Sequence, residues 1–114
     1  MDYVTLNLKE NQPTVNLAIG ILEIEIERNK KSGVKAMKVI HGWGSFCGAC
    51  EIKKALKNWL RANKRSGFIR DYCAGEMWCG GSEVVKLIKH ECPSVLGDIE
   101  LFYSNAGVTI ILLQ

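Results

Sequence analysis

The chain has 114 residues, of which 47% are hydrophobic and 24% charged, and a formal net charge of +3. That length supports one domain with its own core, and the apolar content excludes intrinsic disorder. The longest apolar tract, GVTIILL, is too short to cross a bilayer, so a membrane helix is excluded.

The opening MDYVTLNLKENQ has no basic stretch followed by an apolar one. No secretory leader is therefore expected, and a cytoplasmic location is the expectation. Residues 3–8 alternate apolar and polar side chains, which predicts a strand. Pro13 suits the first turn of a helix, where a missing N–H costs nothing. Val15, Ala18, Ile19, Leu22 and Ile26 then recur at helical spacing, and Leu17, Ile21 and Ile24 widen the stripe. EIEIE would pass for a strand alone, but the preceding period and the length favour helix. Glu23, Glu25 and Glu27 are expected at the surface. Lys30 and Lys31 suit the negative end of the helix dipole, and Gly33 is expected as a left-handed cap.

Residues 34–40 predict a second strand, and HGWGSFCG a loop. Residues 49–65 predict a second helix that buries Ile52, Ala55, Leu56, Trp59 and Leu60. Lys53, Lys57, Arg61 and Lys64 form a separate cationic stripe on it. Residues 68–75 are a short strand or an extended loop. Residues 82–92 predict a third helix with Ser82 as N-cap. Residues 99–103 (IELFY) and 107–113, joined by SNA, read as an antiparallel hairpin. Tyr72, Trp78, Phe102 and Tyr103 are expected to pack inside. The order βαβα(β)αββ gives an α/β fold: a two-layer sandwich with a mixed four-stranded sheet in a single domain, 1–114.

Charge is unevenly spread. From Arg28 to Arg70 there are twelve Lys and Arg residues and one acid, Glu51, so twelve cations less one anion give +11. Such asymmetry suggests a polyanionic partner, DNA or RNA; solvated helix faces are the plain alternative. The first two strands, joined by a helix, should be parallel, and ligands collect where loops leave the carboxyl ends of such strands. The HGWGS loop leaves that end and feeds the second helix. Gly42 and Gly44 would let backbone approach a phosphate, with Ser45 in the same loop, and the helix start favours anions. Trp43 could offer a face to a base or pack on the helix. Lys38, Lys53, Lys54 and Lys57 are close enough in sequence to ring the site. His41 is either the acid–base group of such a site or a strand-end side chain satisfied by backbone.

VKAMKVIHGWGS…IKKALKNWL resembles the core of the small MutS-related (Smr) domain, whose hallmark is H-G-x-G after the second strand. The closing GVTIILL is similar to that domain's terminal G-V-T-I strand. The resemblance is to short, stand-alone bacterial members with an inserted helical segment, here 73–96. It implies an α/β sandwich like the C-terminal domain of bacterial translation initiation factor three. It also implies nucleic-acid binding and, in some members, endonuclease cleavage. The H-G-x-G motif falls on His41, Gly42 and Gly44. Many nuclease-active relatives carry L-D-x-H on the first strand; here Asn7 and Lys9 replace the acid and the histidine. Asn7 can be neither base nor anionic ligand, whereas Lys9 suits a phosphate. The resemblance thus supports binding over cutting; were cleavage present, His41 is the candidate acid–base group, with lysines stabilising phosphate charge.

The expected phosphate contacts are His41, Gly42, Trp43, Gly44, Ser45, Lys9, Lys38, Lys53, Lys54, Lys57 and Arg61. No cofactor is expected. Rival readings rest on the five cysteines. Cys47 and Cys50 stand where a thiol oxidoreductase places its pair. They could also form half of a zinc site with two of Cys73, Cys79, His90 and Cys92. Otherwise the cysteines are inert and half-buried. A basic face that docks an acidic protein is a further alternative.

Overall fold

The computed structural model describes residues 1–42 and 49–114. Its elements are β1 (Tyr3–Asn7), α1 (Val15–Lys31), β2 (Ala36–Ile40), α2 (Ala49–Ser66) and β3 (Asp71–Ala74). A 3-10 helix (Gly75–Gly80), α3 (Glu83–Glu91), two more 3-10 helices (Pro93–Gly97, Ile99–Tyr103) and β4 (Val108–Leu112) follow. The α1 helix starts one residue after Thr14, whose hydroxyl accepts the Leu17 N–H at 3.3 Å. Pro13 stands just outside this cap and not in the first turn. Gly33, at φ 80°, takes the left-handed turn that ends the helix.

The α1 crossover makes β1 and β2 parallel, with Tyr3 opposite Ala36 and Asn7 opposite Ile40. The last strand, β4, runs antiparallel between β2 and β3, giving the order β1-β2-β4-β3. The sheet is mixed and four-stranded, as the sequence suggests, but one of its members differs. The uncertain segment before residue 75 supplies β3, and IELFY is no strand. Both edges of β4 are taken, by β2 and β3, so no ladder is left for a hairpin partner. Asp98 instead caps the IELFY turn by accepting the Glu100 N–H at 3.1 Å, and Leu101 alone points inward.

Alternation along the strands splits the core in two. Met37, Val39, Ile111 and Leu113 pack under Leu22 and Ile26 of α1 and Leu56 and Leu60 of α2. Ala36, Ile110, Leu112 and Cys73 face the other way, beneath Val85 and Ile88 of α3, Trp78, Val95 and Leu101. The expected two layers are therefore present, and the helical stretch 75–103 adds a third on the opposite face. This explains why β4 reads as an unbroken apolar run: it is covered on both sides.

On α1 the buried line is Ala18, Leu22 and Ile26 only. Leu17, Ile21 and Ile24, expected to widen it, face solvent. Leu22 and Ile26 on that line are what meets the sheet and α2 in the core.

Candidate functional site

Because β1 and β2 are parallel, their carboxyl ends, Asn7 and Ile40, meet at one end of the sheet, where β4 begins. The Asn7 carbonyl oxygen of the side chain accepts the Lys9 N–H at 3.1 Å, so Asn7 shapes the turn after β1. His41 and Gly42 continue β2, and their N–H groups both donate to the Gly107 carbonyl, at 2.9 and 3.0 Å. Gly42 has φ 70°, a conformation that favours glycine.

The His41 ring is fully buried. Its Nδ1 lies 2.6 Å from the Gly42 carbonyl oxygen and its Nε2 2.9 Å from Thr109 Oγ1. A carbonyl only accepts, so Nδ1 carries the proton and the neutral ring accepts the Thr109 hydroxyl at Nε2. Burial holds the imidazole below its ordinary pKa, and the Lys53 ammonium adds to this; the Gly42 carbonyl and Glu76 oppose it. In this arrangement the ring ties the end of β2 to β4 and is closed to solvent.

Two openings flank the tie. One is walled by Lys9, Gly42, Asn105, Gly107 and Glu100, at the strand ends. The other is a narrow apolar groove between α2 and β3, with Lys53 and Lys57 on one side, Tyr72 and Ala74 on the other, and Thr109 at its floor. Lys54, Lys57 and Arg61 are exposed on α2, and among the described residues no carboxylate pairs with them. Lys53 is different: its ammonium lies 3.1 Å from Glu76 Oε1, in the 3-10 helix after β3.

Lys38 leaves the expected set. As an even-numbered residue of β2 it points to the face opposite α2, where it is buried between Asp98, at 2.8 Å, and Glu100. The Tyr3 hydroxyl donates to the same Asp98 carboxylate at 2.6 Å. Burial opposes the charge on Lys38, but the hydrogen bonds to Asp98 and Glu100 outweigh it and raise its pKa. A lysine so neutralised has no charge left for a phosphate.

Trp43, Gly44, Ser45 and Cys47 lie outside the described residues, and with them most of the expected anion loop and half of the Cys47–Cys50 pair. Cys50 is at the surface in the first turn of α2. Cys73 and Cys92 are core residues, and burial pushes the Cys73 thiol up to about 11. Cys79 directs its thiol to the carbonyls of Leu101 and Phe102. Among the described residues no three His, Cys, Asp or Glu side chains converge as a metal site would require, and no helix is long and apolar enough to cross a membrane.

A comparison with solved structures finds the crystal structure of the Smr domain of Thermus thermophilus MutS2. The TM-score is 0.57 at 17% identity, over 100% of this chain and 99% of that one. The chain has the fold of an Smr domain. No protein-family model and no curated protein matches it.

Within this Smr fold, sequence reasoning missed Glu76, Thr109, Asn105 and the Tyr3–Lys38–Asp98–Glu100 cluster. Each joins residues far apart in the chain, so no local pattern announces it. The exposure of Phe102 and Tyr103 was hidden for the same reason that IELFY looked like a strand.

Proposed function

We propose that this chain binds DNA or RNA through backbone phosphates. The observation that carries the reading is the exposed line of Lys54, Lys57 and Arg61 on α2, the next helix in the chain after Gly42. Residues 54, 57 and 61 follow the i, i+3, i+7 spacing of one helix face, so three cations can meet successive phosphates at once. The likeness to the Smr fold, and the nucleic-acid binding that the sequence resemblance implies, support the same reading. His41 acts in it as a positioning residue: it fixes the strand-end corner through Gly42 and Thr109.

Phosphate contacts carry no sequence information, so sequence preference should be low. Each neutralised phosphate releases counterions, so replacing Lys54, Lys57 and Arg61 together by Ala should flatten the salt dependence by about 2.7 log units per log unit of salt on duplex DNA. The control is Lys86→Ala with Lys89→Ala. Lys86 lies 3.6 Å from Glu83 and Lys89 sits over the Trp78 ring, so this pair should change binding little. Anisotropy titrations between 50 and 200 mM salt test both. A wild-type affinity that does not respond to salt, or a triple variant that binds like wild type, refutes the proposal.

A further inference from the structure

One face of α1 is apolar and uncovered. Leu17 is 56% exposed, Ile21 37% and Ile24 63%. At about 100° per residue these three and Gly20 fall within about 100° of arc, on the side away from the buried line of Ala18, Leu22 and Ile26. Single exposed apolar residues are ordinary on a surface. A run at i, i+4, i+7 is a stripe, the form in which a helix presents itself to a packing partner.

Gly20 lies inside that stripe, and nothing within the chain requires it. It sits in the body of α1, so no left-handed turn calls for glycine. Among the described residues, a Cβ added at Gly20 meets nothing within 4 Å, whereas one at Gly75 collides with the Asn105 carbonyl. A glycine in the middle of a helix weakens it. What Gly20 offers in return is a low point between Leu17, Ile21 and Ile24, where a second backbone can come close.

Charge and symmetry select the occupant. Residues 11–22 carry no charged side chain, and the α1 cations Arg28, Lys30 and Lys31 are all in its last turn. Arg28 and Lys31 are paired there with Glu25 and Glu27, so the stripe does not attract a polyanion. A helix of another protein needs its own small residue opposite Gly20; a second copy of this chain brings one. A two-fold axis at Gly20 makes the two helices antiparallel, which also opposes their dipoles favourably. The cationic last turns then lie at opposite ends of the pair. A parallel pair would bring them together.

We infer that α1 pairs with α1 of a second copy, antiparallel and two-fold symmetric, with Gly20 at the point of closest approach. Three side chains and a glycine cover less than the about 800 Å² per partner of a stable dimer, so the dimer is weak and concentration-dependent. The inference stands apart from the nucleic-acid reading, and neither depends on the other.

Sedimentation equilibrium up to about 500 µM tests it on wild type, Gly20→Leu, Ile24→Gln and Phe102→Ala. The wild-type mass should rise with concentration from 12.7 kDa toward twice that value, with little response to salt. Ile24→Gln and Gly20→Leu should each weaken the dimer about tenfold or more. Leucine is the better helix former, so Gly20→Leu should melt no lower than wild type, which separates lost pairing from lost folding. Phe102→Ala, in the third layer on the other face of the sheet, should dimerise like wild type. A wild type that stays monomeric overturns the inference. So does tighter association in Gly20→Leu, which marks unspecific apolar contact, or loss of the dimer in Phe102→Ala, which assigns it to the other face.

Discussion

Glu76→Gln should make this protein bind nucleic acid more tightly. Lys53 lines the α2–β3 groove but gives its charge to Glu76, 3.1 Å away. A phosphate can use Lys53 only by displacing that carboxylate. The side chains of the pair are 25% and 42% exposed, so solvent screens it, and its worth lies in the surface range of about 0.2–1 kcal/mol. Removing the carboxylate returns at most that amount to binding, a gain of up to about fivefold in affinity. The salt dependence should also steepen. In wild type Glu76 keeps Lys53 from making a full phosphate contact. In Glu76→Gln Lys53 is released to neutralise one more phosphate, so the slope grows by about 0.9 on duplex DNA. Glu83→Gln is the matched control: it removes a carboxylate whose partner, Lys86, lies on α3 at 3.6 Å. Anisotropy titrations at four salt concentrations read both quantities. An unchanged slope in Glu76→Gln, or an equal gain in Glu83→Gln, refutes the displacement argument and leaves only a general charge effect.

Two further predictions concern stability. Lys38→Met leaves Asp98 buried without its cation and should cost about 3–5 kcal/mol in urea unfolding; adding Asp98→Asn should recover part of the loss. Burial pushes the Asp98 carboxyl up, but the hydrogen bonds from Lys38 and Tyr3 outweigh it and hold the group below its ordinary range. Its contribution is therefore present above the unfolded value of about 4 and lost as pH falls through the lower folded value, and in Lys38→Met that acid loss should shrink. The buried His41 has a lowered pKa, so its contribution is present above the unfolded value of about 6.5 and lost as pH falls through the folded one. Urea midpoints at pH 7 and pH 5 should drop in wild type more than in His41→Gln, and equal drops refute that assignment.

Local pattern made most of the fold legible. The alternation of β1, the cap and apolar period of α1, and the parallel pairing that a helical crossover dictates are all short-range facts. The apolar run at 107–113 predicts a strand, and β4 lies there, but its two neighbours could not be read from it. What failed depended on distant contacts. IELFY has strand-like composition, and only the occupancy of both β4 edges makes it a 3-10 turn. Leu17, Ile21 and Ile24 have helical spacing, but spacing does not say how much sheet lies under a helix. Lys38 looked like a site lysine because its partners, Asp98 and Glu100, come some sixty residues later. For the candidate site, the sequence suggested a stripe of Lys53, Lys57, Arg61 and Lys64, of which Lys53 and Lys64 are paired with Glu76 and Asp71 across the fold, and it left the role of His41 open between acid–base group and satisfied strand end. The bonds to Gly42 and Thr109 favour the second.

Folding also changes what the charge run means. Of the twelve Lys and Arg residues from Arg28 to Arg70, six find carboxylates: Arg28 and Lys31 on their own helix, Lys38, Lys53, Lys64 and Arg70 across the fold. Lys30 turns to the Phe68 ring and carbonyl. Of the rest, Lys54, Lys57, Arg61 and Arg65 all stand exposed on α2, and Lys35 precedes β2. A diffuse excess of +11 in the sequence thus becomes a line of cations along one helix. Spread over the whole surface, such a charge would raise solubility and general attraction to polyanions. Gathered on one helix face, it defines a track with a direction. The ion pairs therefore shape the proposed interface as much as the unpaired cations do, because they remove competing positive charge from other faces.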